Sequence, residues 1–266
     1  MRGQDREGAA SVGRIDLNAD MGESFGAWTM GDDAAMLELV TTANVACGYH
    51  AGDPAVMHRT VTQAKAEGVA VGAHPGFHGL FGFGRRPIQG ESPDDVELQL
   101  IYQISALRGI AAAAGHPITH VKAHGALANQ AAVDDALAAA LARAVTKVDP
   151  ELILMVMPGM ATERAAEAAG LRAAREIYAD RAYADDFNLL SRKLPGAVLH
   201  DPAAAAERVL AVLETGTITS VGGRRLEVSV DTVCVHGDNP AAVAMAAHLR
   251  RELEAAGWTI LPFARP

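Results

Sequence analysis

The sequence predicts an α/β fold in which one domain closes seven or eight parallel strands into a TIM-like (β/α) barrel. Three observations predict it. Short apolar, β-prone runs alternate along the chain with longer helical ones, and parallel neighbours require such crossovers. Nearly every apolar run ends in a cluster of Asp, Asn, His, Lys or Arg, as expected where all strand C-termini share one face. A length of 266 residues without linker or repeat also suits one barrel, which typically needs about 250. An open doubly wound sheet shows the same alternation and is the alternative.

Residues 1–13 are polar and charged and read as a disordered tail, leaving 14–266 as the domain. Strands are expected at Arg14–Asn18, Ala43–Cys47, Val69–Ala73, Thr119–Ala123, Leu152–Met157, Ala173–Ala179, Ser229–Val235 and Thr259–Leu261. Between them, Asp53-Pro54, Ser92-Pro93, Asp201-Pro202 and Asn239-Pro240 each join an N-cap acceptor to a proline at the first helical position. There the missing N–H costs nothing. The helix from Pro93 places Asp94, Asp95 and Glu97 against the positive dipole end and lines up Val96, Leu100, Ile104 and Leu107. Gly68, Gly115 and Gly216 are fitting stops, and Ala131–Val145 is helical by propensity.

Composition narrows the function. A net charge of −9, with no more than two basic residues in a row, opposes a phosphate-tracking nucleic-acid binder. Only Cys47 and Cys234 are present, which fits a reducing compartment rather than a disulfide scaffold. The N-terminus lacks a signal-like apolar stretch. The longest uncharged run, Gly68 to Gly84, is too short and glycine-broken for a membrane helix, which needs about 20 apolar residues. The chain therefore reads as soluble and cytoplasmic, without membrane or nucleic-acid partners.

Chemistry gathers where strands end. In Asp16-Leu17-Asn18-Ala19-Asp20, alternation puts Asp16, Asn18 and Asp20 on one side, and Glu23 follows. Such an inward polar row must be hydrogen-bonded, because each unpaired buried group costs about 1–3 kcal/mol. His120-Val121-Lys122-Ala123-His124 likewise sets three basic groups on one face. A barrel-interior Lys122 must pair with carboxylates, bind an anion or lose its proton. Asn44, His50, His74, Asp180, Arg181, His236 and Asp238 complete the rim. The glycine- and Phe-rich segment Gly76–Gly90 carries Arg85-Arg86. It reads either as a flap over an anionic substrate or as a surface loop plugging the barrel. Asp16, Asp20, His50 and His74 are candidate metal donors, though no short fixed-spacing motif demands a transition metal. No P-loop, dinucleotide-binding glycine fingerprint or nucleophile elbow is present.

Asp16 through Gly26 resembles the opening signature of the LamB/YcsF family, the A subunits of bacterial ATP-dependent 5-oxoprolinase. Asn44–Pro54, Gly72–Phe77, Gly82–Arg86, Lys122–Leu127, Ala179–Tyr183 and Val233–Pro240 match in the same order, over about residues 14–262. The resemblance implies a TIM-like barrel related in fold to sugar deacetylases, acting with subunits B and C. The implied reaction is cleavage of the 5-oxo-L-proline lactam to L-glutamate, coupled to hydrolysis of ATP with Mg²⁺.

On that reading Asp20, Glu23, His74, Lys122, His124 and Asp238 are catalytic. Asn18, Asn44, His50, Arg85, Arg86, Asp180, Arg181 and His236 bind substrate. Lys122 and the arginines would hold carboxylate and phosphoryl oxygens, and the histidines would move protons. Asp20, Glu23 or Asp238 would hold Mg²⁺ or act as base. Two other readings share the rim: a stand-alone metal-dependent deacetylase or amidohydrolase, and a non-catalytic subunit that binds a small acid.

Overall fold

The structure is a computed structural model that describes residues 13–236 and 240–265. The chain starts β1 (Gly13–Met21), α1 (Asp33–Leu37), β2 (Thr42–Ala46), α2 (Pro54–Glu67), β3 (Ala70–His74) and α3 (Pro93–Ala113). It continues β4 (His120–Lys122), α4 (Gly125–Ala131), α5 (Asp135–Val148), β5 (Ile153–Val156), α6 (Ala161–Ala168) and β6 (Ala173–Tyr178). It closes with α7 (Pro202–Thr215), β7 (Thr217–Thr219), β8 (Arg225–Glu227), β9 (Thr232–Val235), α8 (Pro240–Ala255) and β10 (Trp258–Ile260).

Seven parallel strands, β1 to β6 and then β9, form the ring, which shuts where Asp16–Ala19 of β1 pairs Thr232–Val235. The expected eighth strand exists as β10 but stands outside the ring, paired with Gly13–Ile15 at the entry of β1. One domain of closed α/β barrel type results.

Period-2 alternation sets what each strand contributes. Leu17, Ala19 and Met21 of β1 and Val71 and Ala73 of β3 face the helices and belong to the main apolar core. Asp16, Asn18 and Asp20 turn inward, where they meet Thr42 and Asn44 of β2, Lys122 of β4 and Thr232 of β9. The barrel interior is thus polar, while apolar packing lies between strands and helices.

The helix starts follow their caps. Asp53 accepts from Ala55 N (2.8 Å) and Val56 N (2.9 Å) ahead of α2, and Ser92 and Asp95 form a reciprocal capping box ahead of α3. The Ala-rich helix expected at Ala131–Val145 is divided instead. α4 ends at Ala131, and α5 begins only after Asp134, whose carboxylate caps Ala136 and Leu137. The hairpin β7–β8 has no counterpart among the expected elements. Of the expected tail at residues 1–13, residues 1–12 lie outside the described residues, and Gly13 belongs to β1 instead. No helix among the described residues is long and apolar enough to cross a membrane.

Candidate active site at the barrel mouth

The interior network begins below the mouth. Asp16 accepts from Thr41 and Thr42 (2.6 Å each) and from Thr232, so it braces β1, β2 and β9. Burial raises its pKa to about 6 despite these three hydroxyls. The sequence offers Asp16 as a metal donor, but its oxygens face threonines, apart from the histidine cluster. It serves as a structural acceptor.

One layer up, Asn44 donates to Asn18 Oδ1 (2.8 Å) and Asp20 Oδ1 (3.0 Å) and accepts from His120 Nε2 (2.9 Å). His120, fully buried, is pushed down to about 3, first by burial, and stays a neutral spacer. The ring fits because residue 72 is glycine: a Cβ there would come 2.1 Å from His120 Nε2.

Lys122 resolves the question its burial poses. Its ammonium lies 2.9 Å from Asp20 Oδ1 and 2.6 Å from Glu176 Oε1, with Asn18 Oδ1 and Cys234 Sγ each at 3.3 Å. Burial opposes its charge, but Asp20 and Glu176 overcome that and hold its pKa well above the ordinary value. Asp20 is the reciprocal case. Burial alone would protonate it, and the positive charges of His74 and Lys122 instead keep it well below the carboxylate range.

Beside this pair stand three imidazoles and a carboxylate. His74 Nδ1 donates to Lys122 O (2.8 Å), leaving its Nε2 facing Asp20 Oδ2 (3.3 Å) and His124 Nδ1 (3.0 Å). His124 Nε2 donates to Phe83 O (2.9 Å). His50 stacks on His124 with centroids 3.7 Å apart and rings 2° from parallel, and its Nε2 lies 3.4 Å from Glu23 Oε1.

Burial holds the pKa of both His50 and His124 well below the usual histidine value. For His74 burial acts the same way, but Asp20 outweighs it and raises the value. Burial and the charge of Asp20 push Glu23 up to about 7. The segment expected as a flap or plug lies down on this cluster as part of its wall. Phe83 packs edge-on against His50 and His124, and Gly84 comes so close that a Cβ would lie 2.7 Å from His50 Cβ.

Above the cluster opens a cavity of about 440 Å³ bordered by Asp20, Glu23, His74, Lys122 and His124 at its base. Arg85, Arg181, Arg192, Lys193 and His236 stand around its rim. Arg85 lies over the Phe83 ring (4.9 Å), whereas Arg86 is exposed and stands outside the cavity. Arg181 also holds the 182–197 segment over the mouth, donating to Leu190 O (2.5 Å) and Ala197 O (3.4 Å). Asp180 Oδ2 lies 2.8 Å from His236 Nδ1, and His236 Nε2 accepts from Arg192 (2.7 Å). Asn18 and Asn44 sit beneath the cavity and act on Asp20 and Lys122. Asp238 lies outside the described residues.

Glu176, Tyr178, Arg192 and Lys193 are site residues that the sequence reading misses. Alternation through Ala174, Glu176 and Tyr178 turns a carboxylate inward, so Glu176 carried a usable signal. Arg192 sits in an irregular loop that carries no periodic signal.

The rim suits anionic oxygens, carboxylate or phosphoryl. Mg²⁺ fits less well, because it prefers oxygen donors. Asp20 is tied to Lys122 and His74, and Glu176 to Lys122. Among the described residues that leaves Glu23 as the one carboxylate beside three imidazoles.

Comparison with known proteins settles the family. The LamB/YcsF family model matches residues 15–266. This chain belongs to the LamB/YcsF family. A Rhodopseudomonas palustris member, named as the A subunit of 5-oxoprolinase, is 56% identical over 94% of this chain and 99% of its own. One from Symbiobacterium thermophilum with the same name is 51% identical over 94% of this chain and 95% of its own. The crystal structure of a lactam utilization protein from Thermus thermophilus superposes with a TM-score of 0.88 at 44% identity, covering 93% of this chain and 99% of that one.

Proposed function

We propose that this LamB/YcsF chain is the A subunit of an ATP-dependent 5-oxoprolinase and that 5-oxo-L-proline is opened to L-glutamate at the barrel mouth, with subunits B and C. The observation that carries this reading is the division of charge within one cavity. An ionised Asp20 pinned by Lys122 stands at the base, and Arg85, Arg192 and Lys193 stand at the rim. The relatives' name supports it, and so does the match over nearly the full length of both chains.

The rim cations would hold the carboxylate of the lactam, so that its ring carbonyl points inward. Asp20, oriented by Lys122 and Asn44, would accept a proton from the attacking water and return it to the ring nitrogen as the C–N bond breaks. Lys122 is nearly enclosed, with its ammonium on Asp20 and Glu176, and would act by positioning Asp20. ATP, when it takes part, supplies a phosphoryl group that activates the amide oxygen. The balance is one lactam, one ATP and two waters giving glutamate, ADP and phosphate.

Reconstitution with subunits B and C tests the reading by following glutamate release from 5-oxoproline with and without ATP. ATP-dependent release that stops when this chain is left out is the expected result. Release without ATP, or no need for this chain, would overturn it.

A further inference from the structure

We propose that Glu23, His50, His74 and His124 form a binding site for one divalent transition-metal ion of the Zn²⁺ or Co²⁺ kind. One donor atom from each of the four lies within 4.8 Å of every other. Measured pair by pair, His74 Nε2 to His124 Nδ1 is 3.0 Å, His50 Nε2 to Glu23 Oε1 is 3.4 Å, and His124 Nδ1 to Glu23 Oε1 is 3.7 Å. Four tetrahedral ligands, each about 2.1 Å from an ion, stand roughly 3.4 Å apart. These three of the six spacings bracket that figure, and all six lie within 4.8 Å.

The proton arrangement points the same way. A backbone carbonyl only accepts, so His74 carries hydrogen on Nδ1 toward Lys122 O, and His124 carries it on Nε2 toward Phe83 O. Holding the outer N–H on a carbonyl is how proteins aim a histidine lone pair at a metal. The two remaining nitrogens face each other at 3.0 Å, so either the proton of a charged His74 or a metal ion must lie between them.

His50 presents Nε2 to Glu23, and its other nitrogen, Nδ1, is buried with no hydrogen-bond partner. Three buried imidazoles stacked or crossed within a few ångströms cost desolvation that an apolar core would avoid. Three nitrogens and one oxygen match borderline metals rather than Mg²⁺ or Ca²⁺. Glu23, His74 and His124 also border the cavity, so a bound ion would face the substrate space.

The test uses the whole chain alone, without partner subunits or ATP, so its failure is separable from failure of the lactamase reading. Chelator-treated protein is titrated with Zn²⁺, Co²⁺ and Mg²⁺ by calorimetry, with the bound ion counted by elemental analysis. One Zn²⁺ or Co²⁺ per chain is expected, with no comparable binding of Mg²⁺. Glu23→Gln and His50→Gln should each weaken binding by at least the roughly 10–100-fold that losing an outer partner costs. Exposed His58→Gln should leave it unchanged.

If the cluster variants fail to fold, anomalous diffraction from Zn²⁺-loaded wild-type crystals decides. A peak within about 2.3 Å of the His74 and His124 nitrogens upholds the site. Substoichiometric binding, affinity indifferent to Glu23→Gln and His50→Gln, or a peak elsewhere overturns it.

Discussion

At the level of single residues, the same carboxylate chemistry serves two ends a few positions apart in β1. Asp20 is ionised by its cationic neighbours and faces the cavity. Asp16 meets no cation, and burial lifts it from its ordinary 3.8 to about 6. Folding therefore takes up a proton at Asp16 between about pH 4 and pH 6. The stability this lends is fully present below the unfolded value and is lost as pH rises through the folded one. Relative to Asp16→Asn, the wild type should lose up to about 3 kcal/mol between pH 4 and pH 7, since each pH unit across that span is worth about 1.36 kcal/mol. Urea denaturation of both proteins at the two pH values reads the difference directly. A gap that is constant with pH would mean that the three threonine hydroxyls already hold Asp16 as an ordinary carboxylate.

Among the elements, the starts of α2, α3 and α7 were legible because each is written in adjacent residues, an Asp or Ser and then a proline. So was the inward row of β1, since alternation needs no tertiary knowledge. The β7–β8 hairpin was not, because Thr217–Thr219 and Arg225–Glu227 are each three residues long and weakly patterned. Nor was the 182–197 cover, whose placement rests on Arg181 bonding to distant carbonyls. The glycine of β3 has a packing role that the sequence alone conceals. Gly72→Ala would drive a methyl into the His120 ring and, through it, into Asn44. Overpacking of this kind costs about 1–3 kcal/mol. A lowered denaturation midpoint with unchanged slope is the expected outcome, whereas unchanged stability would show that the His120 ring can move aside.

Across the molecule, a closed parallel barrel carries groups from β1, β3, β4 and β6 to one end, and segments after β1, β2, β3, β4, β6 and β9 finish the site. That convergence was readable in advance, because the polar clusters follow the strands. Who pairs with whom was not: Lys122 with Glu176, His50 stacked on His124, and Arg192 on His236. Such pairings depend on strand order and on which loop covers which, and no local period encodes either. On the proposed reading the acid and base groups lie inside the ring end with Lys122, and the arginines and Lys193 stand at the rim.

All of the proposed chemistry turns on Asp20, held by Lys122, taking part in opening the lactam. Steady-state glutamate release by the reconstituted A, B and C subunits tests this, comparing wild type with Asp20→Asn under saturating ATP and 5-oxoproline. Turnover should fall by at least about a hundredfold, the size typical of removing one positioned acid–base group, with folding intact by circular dichroism. Turnover within a few-fold of wild type would place the chemistry elsewhere.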